Sequence, residues 1–187
     1  YCRTMRVMRQ FTPEHIVAGT TRISLRKDLD EILREKNIKI NEIRFREIGF
    51  ARQYNKKVDP KTKLDVIEYN ANNGKEFFIQ VVNKDNILFG LLRLRIPDNV
   101  EKPMIKELKD CALVRELHVY GQALALGERK RVKGQHSGLG KQLMQKAEEI
   151  VKENNVKKIA VISGVGVREY YRKLGYKLDK DYMIKNI

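Results

Sequence analysis

Cysteine is scarce: the chain has two, Cys2 and Cys111. Two cysteines so far apart are not a disulfide framework, which points to a reducing, cytoplasmic setting. They cannot build a four-cysteine zinc site or hold an iron–sulfur cluster unaided. Long apolar runs are also missing. The longest are short, such as Ala123-Leu124-Ala125-Leu126, far below the roughly 18–20 residues a membrane-spanning helix needs, so no membrane is expected. No signal peptide opens the chain. The start, Tyr1-Cys2-Arg3, has no initiator Met, and a fragment of something longer is expected. Acid is the third shortage. Asp plus Glu number 24 against 39 Lys plus Arg, a formal charge of +15. Such a charge speaks of partners rather than fold. Nucleic acid leads, followed by an anionic cofactor or an anionic membrane surface. A lysine-rich proteome gives the same excess, although Arg3, Arg6 and Arg9 at every third position weigh against it.

What remains is an ordinary globular composition. The chain of 187 residues is 42% hydrophobic and 34% charged. That is the size of one domain, or one domain with an appendage, and it can bury a core without a staple. Collagen-like, low-complexity and disordered classes are excluded.

Residues 1–60 differ from the rest. Thr12-Pro13-Glu14 reads as a helix opening. Residues 24–36 read as an amphipathic helix with Leu25, Leu29, Ile32 and Leu33 on one face. Residues 43–49 alternate like a strand. Residues 53–63 are polar and read as a loop or boundary. From residue 64 strand follows strand. Residues 64–69 and 77–82 flank Asn72-Asn73-Gly74, a strong hairpin signal. Residues 87–96 form a third strand, with Arg93 and Arg95 on one face, and 113–120 a fourth. A glycine-bounded loop, 121–134, carries the basic run from Arg129 to Lys133. Residues 138–154 read as a long helix, 158–163 as a buried-type strand and 167–174 as a short helix ended by Gly175. The tail has room for one or two more strands. The expectation is an α/β domain over 61–187, with a mixed, mostly antiparallel sheet flanked by helices and an N-terminal connector over 1–60.

Two motifs carry chemistry. Gln135-His136-Ser137-Gly138-Leu139-Gly140 lies between a strand and a helix. Spaced glycines at a helix start allow close backbone approach, and the free N–H groups and dipole of the helix suit a pyrophosphate. Arg129, Lys130, Lys133 and Lys141 add charge nearby. The same residues also suit a glycine-rich helix entry with no ligand. The second motif, Tyr170-Tyr171-Arg172-Lys173-Leu174-Gly175-Tyr176, equally suits a helix end packed on a sheet.

Together, about 30 residues apart, the two motifs resemble the GNAT acetyltransferase superfamily. Its acetyl-CoA motif is Arg/Gln-x-x-Gly-x-Gly/Ala, and a later helix carries aromatic-Tyr-x-x-x-Gly-aromatic. The runs 114–121, 135–140 and 162–176, with 43–49 and 91–95, further resemble the catalytic subunit of Elongator and its archaeal single-subunit counterparts. That likeness covers the whole chain.

The resemblance implies a GNAT-type fold. It implies an acetyl-CoA-dependent acyltransferase domain of an enzyme that makes 5-carboxymethyluridine at the tRNA wobble position. The radical S-adenosylmethionine domain, with its 4Fe-4S cluster, belongs to such proteins but not to this chain; it is the implied partner, and residues 1–60 would be its tail and the connector. Without it, the carbon–carbon bond would not be completed. Relatives carry a cysteine, part of a zinc site, just before the segment matching 43–49; this chain has Asn41-Glu42 there, and no metal is expected. Acetyl-CoA would lie along Glu116, Leu117, His118 and Val119, with its pyrophosphate on Gln135, Gly138, Leu139, Gly140, Lys141 and Gln142. Tyr171 would serve the departing thiolate and Tyr170 would pack or orient. Glu116, or less well His118, would activate a water. The tRNA surface would comprise Arg3, Arg6, Arg9, Arg44, Arg46, Lys56 and Lys57, with Arg129, Lys130, Arg131 and Lys133 sensing phosphate from a loop that covers the site until tRNA arrives. Two other readings stay open: a GNAT enzyme acetylating a lysine, as on a histone, or a small amine, and a non-catalytic tRNA-binding module.

Overall fold

The computed structural model describes residues 2–4, 7, 12–19, 21, 24–54, 57–120 and 138–187. Its strands are β1 (Thr62–Asn70), β2 (Gly74–Asn83), β3 (Leu88–Pro97), β4 (Cys111–Val119), β5 (Lys158–Ile162), β6 (Lys177–Asp179) and β7 (Tyr182–Asn186). They form one mixed sheet in the order β1-β2-β3-β4-β5-β7-β6. Among the described strands, β4 and β5 are the parallel pair. A parallel pair cannot be closed by a tight turn, and the helix α4 (Leu139–Glu153) lies in the connection. The other helices are α1 (Leu25–Glu35), α2 (Ile43–Arg46), α3 (Ile48–Gln53) and α5 (Arg168–Lys173). The mixed, mostly antiparallel sheet flanked by helices is the architecture expected from the sequence.

The β1–β2 hairpin forms where the turn chemistry demands it. Asn72 and Asn73 take positive φ of 46° and 58°, which asparagine tolerates better than branched residues. Beyond the turn β2 is buried on both faces. On one face Ile79, Leu92 and Leu94 pack with Leu143, Met144 and Ala147 of α4. On the other, Phe78, Val82, Leu88 and Leu91 pack with Ile43. Ile48 and Ala51 also join the core. The boundary expected near residue 60 is therefore not a break in packing, because α2 and α3 share the core of the sheet that follows them.

Three local expectations are corrected. Residues 43–49 are not a strand but the two short helices α2 and α3. Ile43 and Arg46, and then Ile48 and Ala51, are buried three residues apart, which is helical spacing. The helix expected from Thr12-Pro13 is a single 3-10 turn, Pro13–His15, whose N-cap makes no side-chain bond. The helix α1 is present as expected, but its apolar stripe is only partly covered, with Leu25 and Leu33 half-buried. Leu29 and Ile32 are 37% and 44% exposed, and its buried residue is Asp30.

Glu42 explains why α2 starts where it does. Its carboxylate accepts from Phe45 N at 2.9 Å, from Thr4 N at 2.7 Å and from Arg26 Nη2 at 2.9 Å. Burial works against its charge. The N–H groups of Thr4 and Phe45 and the Arg26 guanidinium outweigh that and hold the carboxyl below its ordinary range. The folded state therefore prefers the ionised form, so this stabilisation is complete above the ordinary value of 4.5 and fades as pH falls below it. Glu42→Gln should cost about 1–2 kcal/mol at neutral pH, the scale of a lost charged cap. Thermal melts in acid should show the difference from the parent chain shrinking. A constant difference down to strong acid would contradict this account.

Candidate active site

The site begins with a defect in the sheet. Between β3 and β4 the register steps from Arg93↔Glu116 to Leu94↔Val114, leaving Arg115 as an extra residue. A bulge bends its strand and raises its twist. On the other side of β4, pairing with β5 ends at Val114↔Val161, although β4 runs on to Val119. Among the described residues no strand pairs with 115–119 on that side. The backbone there is a free edge, able to pair with an extended ligand. At the end of β5 and just past it, Ile162, Val165 and Val167 are 65%, 76% and 50% exposed. The Ser163 hydroxyl is buried without a partner.

The free end of β4 meets the start of α4. Gly138, the N-cap, has φ +121° and nothing within 4 Å of where a Cβ would stand. Only glycine takes that conformation readily, and the open space leaves the backbone approachable. A Cβ on Gly140 would stand 2.7 Å from the Tyr170 hydroxyl and 3.7 Å from Val119 Cγ2. Strand end, helix start and α5 therefore converge on Gly140. Lys141 and Gln142 are exposed beside it, whereas the Leu139 side chain is buried in the core and leaves only its backbone for a ligand. The residues at this end fit a pyrophosphate-bearing cosubstrate: a glycine cradle with open space, a helix start and an unpaired strand edge.

At the other end Tyr171 is 6% exposed. Its ring sits edge-on to Tyr170 at 5.2 Å and to Tyr176 at 5.9 Å. Burial pushes both the Tyr170 and Tyr171 phenols up, so both stay protonated at neutral pH.

Residues 46–176 match the acetyltransferase (GNAT) family. The chain belongs to that family. Its fold is the GNAT fold, and a solved structure of an N-terminally deleted Elp3 from the archaeon Methanocaldococcus infernus superposes with a TM-score of 0.83, at 41% identity, over 99% of this chain and 44% of that one. Among curated relatives, a tRNA uridine(34) acetyltransferase of Dehalococcoides mccartyi is 40% identical over all of this chain and 41% of its own length. Elongator complex protein 3 of Schizosaccharomyces pombe is 40% identical over 99% of this chain and 34% of its own. This GNAT chain thus spans about two fifths or less of the curated relatives it matches.

The Glu116 carboxylate, expected to activate a water, is ion-paired twice, accepting from Arg3 Nη1 at 2.7 Å and from Arg93 Nε at 3.1 Å. Bulge residue Arg115 turns to Glu76 instead, at 2.7 Å. Arg46 was expected on a tRNA surface. It is 8% exposed and donates to Asn86 Oδ1 at 2.6 Å and Gln80 Oε1 at 2.9 Å. Arg3 is committed too, donating through Nη2 to the Tyr120 hydroxyl at 2.6 Å as well as to Glu116. Arg44 and Lys57 are exposed as expected. His118 is exposed and stacks on Tyr120 at 4.4 Å, and Leu117 is half-buried on the opposite face of β4. Arg6, Arg9, Lys56, Gln135 and the whole loop 121–134, with Arg129, Lys130, Arg131 and Lys133, lie outside the described residues.

Sequence reasoning missed Arg93, Tyr120, Glu47 and Gly90 as parts of the site. The Tyr120 phenol is pushed up to about 12, first by burial and then by the Glu47 charge. A Cβ on Gly90 would stand 3.2 Å from His118 O and 3.3 Å from Leu143 Cδ1, so glycine lets the free end of β4 lie close to α4. A lone glycine inside a strand pattern was the available signal.

Proposed function

We propose that this chain is the acetyl-CoA-binding and acetyl-CoA-hydrolysing part of a tRNA wobble-uridine modifying enzyme. The observation that carries the reading is the junction at Gly140, where an unpaired β4 edge runs into a glycine-cradled helix start. When bound, acetyl-CoA supplies an activated two-carbon acyl group. This chain's residues do the rest. The N–H groups of 138–140, with Lys141, Gln142 and Gln135, hold the pyrophosphate. The β4 backbone from Glu116 to Val119 accepts the extended arm as an added strand. Tyr171 holds a proton at its phenolic oxygen for the leaving sulfur, and Tyr170 orients it. Arg44 and Lys57 remain exposed for tRNA. The radical S-adenosylmethionine chemistry and its iron–sulfur cluster belong to the part of the relatives that this chain does not span, and 1–60 connects to it. The setting is cytoplasmic. Its relatives' names support the substrate class; the GNAT family supports the cosubstrate.

Titration of the 187-residue chain with acetyl-CoA, followed by acetate release with and without tRNA, tests the reading. Binding, with hydrolysis stimulated by tRNA, is expected. An N-acetylated amine as main product would make the chain an amine acetyltransferase. Binding of tRNA without acetyl-CoA would make it a recognition module.

A further inference from the structure

The Glu116 carboxylate stands just past the bulge, where the β4 edge is free of β5, and each of its oxygens already accepts from a guanidinium. Arg93 reaches it from the neighbouring strand. Arg3 comes from 113 residues away in sequence. Its arrival is not casual, because the backbone on both sides of it is pinned. Cys2 O accepts from Ile43 N at 2.9 Å. Thr4 N donates to Glu42 at 2.7 Å, and Thr4 O accepts from Arg26 Nη1 at 2.6 Å. Arg3, Arg93 and Glu116 are each only about a quarter exposed, at 26%, 21% and 24% of their side chains. Partial burial keeps the pairs from being screened as open surface pairs are. The half-buried Glu47 carboxylate also lies near Arg3 and Tyr120.

Resting on the proposed reading that β4 takes the thioester arm, we propose that Arg3 is a positioning residue that sets acceptor specificity. With Arg93 it clamps Glu116 and keeps both carboxylate oxygens from an incoming ammonium, so that the site refuses protonated amines and admits uncharged acceptors such as water. Acetyl transfer to an amine forms a nitrogen–carbon bond and breaks the carbon–sulfur bond. The ammonium must first shed a proton, and the sulfur takes one as it leaves. An incoming ammonium meets two guanidiniums, and the Glu116 carboxylate between them is occupied on both oxygens. Arg3 arrives from the segment ahead of α1, so acceptor choice depends on a residue far from the glycine cradle.

The test measures how acetyl from acetyl-CoA divides between spermidine and water, by mass spectrometry of both products from the full chain. The parent chain should give acetate almost alone. Arg3→Met keeps the apolar stem and removes the charge. It should raise the N-acetylspermidine-to-acetate ratio by at least about tenfold, the factor a 1.4 kcal/mol preference represents. Arg3→Lys should restore most of the parent ratio. Arg93→Met, which leaves the pinned N-terminal segment untouched, should move the ratio the same way and guards against a folding defect in the first variant. An unchanged ratio in both Met variants, with acetyl-CoA binding intact, overturns the proposal alone. No acetyl-CoA binding by the parent chain overturns the reading beneath it as well. A general loss of stability would lower both products together without moving their ratio, so it would not mimic the expected result.

Discussion

Replacing Gly140 by alanine should cost acetyl-CoA affinity at least about tenfold, or roughly 1.4 kcal/mol, with little change in melting temperature. The added methyl group would stand 2.7 Å from the Tyr170 hydroxyl, closer than carbon and oxygen tolerate. Tyr170 is 37% exposed and its hydroxyl is the far end of a side chain, so it can swing aside without unfolding α5. Alanine is also the better helix former by about 0.8–1.0 kcal/mol, which offsets the local disturbance. What does not recover is the surface offered to a ligand, since the methyl and the displaced phenol both occupy the approach to the first turn of α4. Gly138→Ala should lose affinity by a different route. No neighbour lies within 4 Å of the new Cβ, but the backbone sits at φ +121°. Alanine there is strained on the order of 1–2 kcal/mol, and relief rotates the very N–H groups the cradle presents. The two variants therefore separate in calorimetry: Gly140→Ala binds poorly and melts normally, Gly138→Ala binds poorly and melts early. Parent-like binding in both would remove the cradle from the proposed function.

Much of this geometry was legible because it is periodic or carried by punctuation. The hairpin of β1 and β2 followed from two alternating runs around Asn72-Asn73-Gly74, and α4 from Leu143, Met144, Ala147, Ile150 and Val151 at helical spacing. The parts that were not legible depend on contacts distant in sequence. Residues 43–49 alternate well enough to pass for a strand. They become helix because Glu42 caps Phe45 N, and Glu42 is in turn held by Thr4 and Arg26. Arg46 lies in a basic stretch that looked like surface. It is buried because Gln80 accepts from it and donates on to Asp65 at 2.8 Å, a chain crossing two strands. The partly covered stripe of α1 shows the same limit from the other side, since amphipathicity states that a face wants cover and not where the cover is. Glu116 lies in β4, the fourth strand expected from the sequence. Its two arginines were invisible, one across a strand pair and one 113 residues away.

The tyrosine pair gives the other large effect, and its two members should part company. Tyr171→Phe should preserve packing, because the ring that meets Tyr170 and Tyr176 edge-on stays in place, and the melting temperature should move little. If its phenol serves the departing sulfur, acetate release should fall about a hundredfold, the lower end of what a positioned proton donor contributes. Tyr170→Phe removes only the hydroxyl that stands over Gly140, so it should cost less than about tenfold and act mainly on acetyl-CoA affinity. Tyr171→Ala should cost about 3–5 kcal/mol of stability, as deleting a buried aromatic ring does. The pH dependence has a definite sign. A proton donor works only while protonated, and burial pushes the Tyr171 phenol above its ordinary value of 10.0. Turnover should therefore be flat for this group through neutral pH and decline only in strong alkali, with the decline absent in Tyr171→Phe. The assignment can also be reversed by the same experiment. Tyr170 is the phenol that reaches the convergence of β4, α4 and α5, whereas Tyr171 lies beneath it. A hundredfold loss in Tyr170→Phe with Tyr171→Phe near the parent rate would move the proton-donating role to the exposed phenol and leave Tyr171 as the packing that aims it.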